Sequence, residues 1–433
     1  MTRHVAIVGS GPAGFYAAEA IFKKAPEVRI DMIDRLPTPY GLVRSGVAPD
    51  HQGTKNVWRV FDRTARRDTF RYFGHVEVGR DVSVEELLAR YDAVVLAVGV
   101  TVDRRLGIPG DDLPGVYGSR ALSGWYNGHP DFSGLEPELR GPGIAVIGNG
   151  NVAVDVVRVL SREPDEMIKT DIPRYALDAI ERSDYSELYM LGRRGPSQAS
   201  FTTAELRELG EMTRTVALVD PAQLPEVVEA DDPKHQKKME KIVETLRSYS
   251  QNAPDAKPQR LHLRFFASPV RVIGPDRVRG LEVAVTELRD GRAVATGETY
   301  VLEVGTIVTA IGYGATPLEG VPLAASGTSF ANVDGKIADR LWAVGWAKRG
   351  PSGVIATNRG DSAEVADRVL AELSDGARGG GDALGALLAE RGARVVSYDD
   401  WLAIDEKERA AASEPTPRVK ITSMDALLAA CGR

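Results

Sequence analysis

The chain of 433 residues contains one cysteine, Cys431, close to its C-terminal end. A single thiol excludes a disulfide framework, a cysteine-ligated metal or iron–sulfur centre, and a redox-active dithiol within the chain. Aromatic residues make up only 6% of the sequence. No stretch reaches the roughly 18 uncharged apolar residues that a membrane helix requires. The apolar run Val5 to Val8 begins almost at Met1, which leaves no room for a signal peptide. These absences lead to the expectation of a soluble, cytoplasmic protein with no metal site. A formal net charge of −7 argues against general nucleic-acid binding, whose footprint is basic.

Glycine, by contrast, is plentiful, with 44 residues, about a tenth of the chain against a usual ~7%. Two clusters stand at equivalent places. The run His4 to Val8 leads into Gly9-Ser10-Gly11-Pro12-Ala13-Gly14, a helix through Ile21 and a second strand, Val28 to Ile33, ending at Asp34. In such a crossover Gly9 permits the tight turn, Gly11 lets the backbone approach a pyrophosphate, and Gly14 allows close helix–strand packing. The helix N-terminus stabilises the anion. A carboxylate at position 34 accepts both hydroxyls of an adenosine ribose and repels a 2′-phosphate, so this site is expected to hold FAD or NAD(H).

The second cluster is Gly148-Asn149-Gly150-Asn151-Val152-Ala153, after the strand Ile144 to Ile147 and before a helix through Leu160. Its next strand, Leu188 to Leu191, is delayed by an insertion and ends at Gly192-Arg193-Arg194-Gly195. Two guanidinium groups replace the acid, which suits multidentate phosphate recognition and predicts NADP(H); a merely solvated turn is the alternative. The expected fold class is therefore α/β, with two dinucleotide-binding (Rossmann-like) domains. The expected division is a discontinuous FAD-binding domain, 1–103 and 313–433, around an NADP(H)-binding domain, 104–312. Three apolar runs ending in glycine, Ala93 to Gly99, Thr306 to Gly312 and Leu341 to Gly345, read as places where the chain passes between domains. Gly376 to Gly381 reads as a flexible insert. A flavin paired with a nicotinamide implies hydride transfer.

The segments Gly9 to Gly14, Pro37 to His51, Gly148 to Ala153, Gly192 to Pro196 and Gly345 to Asn358 together resemble adrenodoxin reductase and the bacterial ferredoxin–NADP reductases of that type. The resemblance runs from residue 4 to about residue 370, and it implies a flavoprotein reductase of the glutathione-reductase-like class. It implies FAD contacts at Ala13, Asp34, Leu42, Val78, Trp346 and the backbone of Gly353, Val354 and Ile355. It implies NADP(H) contacts at Arg104, Asn149, Gly150, Asn151, Val152, Arg193, Arg194, Glu205 and Gly353. Asp34 departs from the pattern, since the family commonly carries Glu there. The implied activity is NADPH:ferredoxin oxidoreduction: hydride transfer to FAD, then single-electron transfers to a ferredoxin-like iron–sulfur protein.

Such chemistry requires positioning more than a nucleophile. His51 and Glu208 are candidate catalytic proton managers, with simple neighbour bonding and a solvated helix face as the alternatives. Trp125, Asn127 and His129 form another family-like run that a packed loop explains equally well. An acidic ferredoxin calls for a basic docking surface. Lys234, Lys237, Lys238 and Lys241 recur at helical spacing, apart from an apolar stripe of Met239, Ile242, Val243 and Leu246, although a solvated face has the same pattern. A monomer is expected. Two other functions fit the same cofactor pair or fold, a flavin monooxygenase and a non-catalytic escort protein.

Overall fold

The computed structural model describes residues 2–228, 232–373, 376 and 378–432. Strand His4–Val8 is buried along its whole length, as expected for an apolar strand covered on both faces. It lies within a six-stranded sheet whose spatial order is Lys336–Ala338, Leu341–Ala343, Ala93–Leu96, His4–Val8, Arg29–Asp34 and Phe70–Gly74. All neighbours are parallel except the edge strand Lys336–Ala338. The second sheet, Val116–Gly118, Thr306–Thr309, Gly143–Ile147, Glu187–Leu191, Gln259–Arg264 and Thr215–Val219, is parallel throughout. A three-stranded antiparallel sheet, Ala267–Ile273, Gly280–Arg289 and Arg292–Leu302, accompanies it. A mostly parallel and a fully parallel sheet, each with a glycine turn after one of its strands, make two Rossmann-like domains.

Both turn helices form where expected. Helix Pro12–Lys24 begins on a proline, whose missing N–H is harmless there. It buries Phe15, Ala18, Ile21 and Phe22 in a core shared with Val365, Ala366 and Val369 of helix Thr357–Glu372. Helix Asn151–Ser161 buries Val154, Val157 and Leu160. The insertion after it contains helices Pro164–Met167 and Arg174–Glu181.

The chain leaves the first sheet after Leu96 and returns after Thr309. The two crossing segments pair with each other as a short antiparallel ladder, Asp103 opposite Tyr313 and Val102 opposite Gly314. The third expected crossing is corrected: Leu341–Ala343 belongs to the first sheet and leads into helices Trp346–Arg349 and Thr357–Glu372 of the same half. Glycine after a strand marks a turn and carries no information about direction.

The flexible insert is also corrected. Gly380 and Gly381 open helix Gly380–Glu390 and are buried. A Cβ on Gly380 would lie 2.0 Å from His4 Nδ1, and one on Gly381 would lie 2.5 Å from Arg71 Nη2. These glycines serve packing, not slack; residue 377 lies outside the described residues. Helices Tyr398–Ala410 and Met424–Ala430 place Trp401, Ile404 and Leu427 in the first core. Among the described residues no helix is long and apolar enough to cross a membrane.

Candidate functional site: two glycine turns and the charged seam between them

In the first turn Gly9 has φ +107°, and a Cβ there would sit 2.4 Å from Ala97 O. At Gly14 the clash would be with Gly9 O, at 2.2 Å, whereas a Cβ on Gly11 meets nothing within 4 Å. The middle glycine thus faces open space, as a backbone approached by a phosphate must. Asp34 is turned towards the loop. Its Oδ2 accepts hydrogen bonds from Ser10 N at 2.8 Å and Ser10 Oγ at 2.6 Å, and its Oδ1 accepts from Leu36 N at 2.9 Å. Tyr40 N donates to Ser10 O, which carries segment 37–51 across the turn. Gly345, which donates its N–H to Asp361 Oδ2, packs against Ala13: a Cβ on it would be 2.5 Å from the Ala13 methyl. Leu42 and Val354 are 44% and 53% exposed, an apolar pair turned outward. Val78 and Trp346 are half-buried, and Gly353 and Ile355 lie in the open stretch before helix Thr357–Glu372.

The second turn repeats the pattern. A Cβ on Gly148 would lie 2.3 Å from Ala310 O, and one on Gly150 meets nothing within 4 Å. Ala153, at the place of the third glycine, is fully buried. Asn149 O accepts from Ser200 N and Phe201 N, and Asn151 Oδ1 accepts from Thr202 N at 2.8 Å, while Val152 is half-buried. Arg193 and Arg194 are exposed, and neither forms an ion pair with a described residue. Arg104 is exposed beside the linker ladder, where its N–H bonds Gly312 O.

A seam of charge joins Asp50 and His51 of the first half to the second half. His51 Nε2 stands 2.9 Å from Glu208 Oε2, so the two proposed proton carriers share a hydrogen bond although 157 residues separate them. Glu205 Oε2 is 3.9 Å from the same nitrogen, and Asp155 Oδ1 is 4.0 Å from Nδ1. Arg158, fully buried, is the hub. It donates to Asp50 through Nε at 2.6 Å and Nη2 at 3.1 Å, to Asp155 at 2.8 Å and to Glu205 at 3.1 Å, with Glu208 also at 3.1 Å. Arg162 adds a third bond to Asp50. Burial opposes charge on Asp50, yet the two arginines prevail and hold its pKa at about 2. Burial raises the pKa of Glu205, with Asp155 adding to it, and burial raises that of Asp155.

The geometry has counterparts among known proteins. The family model for pyridine nucleotide-disulphide oxidoreductases matches residues 3–168. The NADPH-ferredoxin reductase FprA of Mycobacterium leprae is 42% identical over 445 residues, covering 98% of this chain and 97% of its own. The mitochondrial NADPH:adrenodoxin oxidoreductase of Homo sapiens is 39% identical over 456 residues, covering 100% of this chain and 92% of its own. The solved structure of Mycobacterium tuberculosis FprA in complex with NADPH superposes with a TM-score of 0.95 at 39% identity, covering 99% of each chain. The chain belongs to the NADPH-ferredoxin and adrenodoxin reductase family. It is therefore an oxidoreductase and a flavoprotein with a pyridine-nucleotide site. The disulphide chemistry in the broader family's description is absent here, because Cys431 is alone, buried and bonded to Leu427 O.

Within this reductase the donor set suits both cofactors. Gly11 and Gly150 face open space at helix N-termini that could each hold a diphosphate, and Arg193 and Arg194, exposed and without an ion pair among the described residues, could hold a 2′-phosphate. Sequence reasoning placed the turn residues but missed Asp50, Asp155 and Arg158. Arg158 carried a signal, since one arginine interrupts the run Val156-Val157-Arg158-Val159-Leu160; a charge on an apolar helix face has to find buried partners. Trp125 and Asn127 are buried on helix Ser119–Asn127 and His129 is buried just beyond it, so the run is packed as a helix and its end, not as the expected loop. Burial also lowers the His129 pKa to about 4.

Proposed function

We propose that this reductase binds FAD at the turn Gly9 to Gly14 and NADPH at the turn Gly148 to Ala153, and passes electrons to a ferredoxin-like iron–sulfur protein, working as a monomer in the cytoplasm. FAD held at the first turn would supply hydride acceptance from the nicotinamide and release of electrons one at a time, the step size of an iron–sulfur acceptor. The observation that carries the reading is the pairing of an acid-ended and an arginine-ended crossover in one chain. The division at 103/104 and 312/313 is supported by the linker ladder, whose paired residues flank both boundaries.

In this reading the protein's part is to hold and to exclude. The segment Gly353 to Ile355 leads into the N-terminus of helix Thr357–Glu372, where negative charge is favoured, and its Val354 N–H donates to Thr357 Oγ1. Gly353 takes φ +78°, and a Cβ on it would lie 2.8 Å from the Thr357 side chain, so this glycine makes the turn that leads into the helix. His51 and Glu208 hold one proton between Nε2 and Oε2, in a seam that Arg158 fixes. Arg193 and Arg194 select the 2′-phosphate.

The test is flavin reduction under anaerobic stopped flow with NADPH or NADH, followed by cytochrome c reduction with and without ferredoxin. Strong NADPH preference and ferredoxin stimulation are expected. Equal use of NADH overturns the assigned phosphate site, and a stabilised flavin–oxygen adduct on reoxidation makes the chain a monooxygenase. A protein that takes up no FAD is an escort.

A further inference from the structure

Where the chain crosses between the halves, its two segments pair with each other through two residue pairs, and Gly99, Gly312 and Gly314 lie in or beside this ladder. A joint of that size does not by itself fix how the second Rossmann-like domain sits over the flavin. The seam of Asp50 with Arg158 and Arg162 ties the halves on one side, and a further connection lies at the C-terminal strap. Residues 411–423 run as a strap between helices Tyr398–Ala410 and Met424–Ala430, both seated in the first core. From this strap Thr416 Oγ1 donates to Ile168 O of the second half at 2.8 Å. Lys420 Nζ reaches three groups: Asp171 Oδ2 at 2.8 Å, Asn127 O at 2.9 Å and Arg44 O at 3.0 Å. Asp171 Oδ1 also receives Lys55 Nζ at 2.8 Å and Gln52 Nε2 at 2.9 Å, and Lys55 donates to Asn127 Oδ1 at 3.0 Å.

The side chains of Lys420, Lys55 and Asp171 are 1%, 7% and 6% exposed. Two ammoniums from the first half thus share one carboxylate from the second. Arg44, whose carbonyl takes the third lysine proton, spends its guanidinium on Glu408, which Arg418 of the strap also bonds. Moving the second half away would leave two desolvated cations without their anion, a penalty far above that of a surface pair. A cavity of 610 Å³, bordered by Arg44, Lys55, Asp171 and Lys420, adjoins the cluster, so packing alone does not hold the strap down. The segment so gripped, Arg44 to Lys55, begins two residues after Leu42 and contains His51.

We propose that Lys420 is a positioning residue for hydride transfer: through Asp171 and Lys55 it latches the C-terminal strap and the Leu42 to His51 segment to the second domain and so sets the separation of the two rings. The inference rests on the hydride-transfer reading above. A misplacement of about 1 Å is enough to slow a positioned reaction up to roughly a hundredfold.

The test uses the full-length holoenzyme and Lys420→Met, which keeps the chain's bulk and removes its charge. Hydrogen–deuterium exchange without nucleotide is expected to rise in peptides covering residues 42–52 and 165–173. The limiting rate of flavin reduction at saturating NADPH is expected to fall roughly tenfold or more. FAD content and affinity for 2′,5′-ADP, which touches only the Arg193–Arg194 side, are expected to stay the same. Thr416→Val removes one hydroxyl bond and no charge, so it decides the matter if Lys420→Met does not fold; the same changes are expected, smaller. A variant whose limiting rate stays within about twofold of the parent, read as an unchanged transition-state barrier, overturns the positioning role even if its melting temperature drops. Exchange that rises only in residues 411–423 overturns it as well. A parent protein that NADPH does not reduce overturns the hydride-transfer reading and the positioning role with it.

Discussion

The two crossovers share one backbone plan and differ in what their ends do. At the first, the Asp34 carboxylate is tied to Ser10 and Leu36, the turn is overlaid by Tyr40, and Gly345 closes on Ala13. At the second, Arg193 and Arg194 extend into solvent without ion pairs, and the buried Asn149 Oδ1 has no hydrogen-bond partner among the described residues. A turn whose end carboxylate is tied down suits a cofactor that stays, and one whose end guanidiniums are exposed suits a cofactor that comes and goes, although Ser200, Phe201 and Thr202 also brace the second turn itself. The difference lies in the neighbours of the turn, not in its dihedral geometry. Gly9 and Gly148 both have positive φ and would both collide with a carbonyl if they carried a Cβ.

The strongest way to break this comparison is Gly14→Ala. The new methyl would start 2.2 Å from Gly9 O, a backbone atom that cannot swing aside, and overpacking of that kind costs on the order of 3 kcal/mol. The variant is expected to elute from gel filtration without its flavin absorbance. The second turn already carries Ala153 at the matching place, so Ala153→Gly is expected to cost only about 1 kcal/mol, the ordinary helix penalty. It should leave flavin content intact. Equal losses at both positions would mean that the first turn is no more tightly closed than the second.

Next in size is the arginine pair. Removing either Arg193 or Arg194 by alanine substitution is expected to lower kcat/KM for NADPH by about 1–3 kcal/mol, the range of a charged hydrogen bond. The value for NADH is expected to hold. A matching loss with NADH would assign the pair to the shared diphosphate instead.

Both crossovers were legible in the sequence because their signals are local: an apolar strand, glycines at fixed offsets, then an acid or two arginines at the next strand end. The apolar stripe Met239, Ile242, Val243, Leu246 was legible for the same reason, and all four are buried on helix Pro233–Tyr249. The clamp and the latch were not. Asp50 and Arg158 are 108 residues apart and Lys55 and Asp171 are 116 apart. No periodicity links such partners, and each lysine or aspartate alone looks like surface. Gly376 to Gly381 was misread because glycine density looks like slack when the atoms that need its missing Cβ, here His4 and Arg71, are hundreds of residues distant.

The clamp also tests how independent the two turns are. The Asp50 pKa, about 2 against an ordinary 3.8, is depressed in the folded state. Its stabilisation is therefore full above about pH 4 and is lost as pH falls through 2, and the shift corresponds to about 2 kcal/mol. Asp50→Asn is expected to lose at least that much at pH 7, because Arg158 is left short of a buried partner. Its denaturant midpoint is expected to vary less between pH 4 and 2 than the parent's. An unchanged acid profile would mean that the Asp50–Arg158 pair does not join the halves.

The smallest expected effect concerns the partner surface, where the openness of the second half recurs. Lys234, Lys237, Lys238 and Lys241 are all exposed on helix Pro233–Tyr249, outside its buried stripe, on a protein of net charge −7. Exposed charges at a rim act mainly on encounter rate and each contributes only about 0.2–1 kcal/mol. Lys237→Glu with Lys238→Glu is therefore expected to slow ferredoxin-dependent cytochrome c reduction a few-fold at low salt. The gap should close as ionic strength rises and screening shortens the reach of the charges. Ferricyanide reduction by NADPH, which needs no docked protein, is expected to be unaffected. A ferredoxin rate that ignores both the substitutions and the salt would leave this helix a solvated face, and the second half's exposed cations would then serve the nucleotide alone.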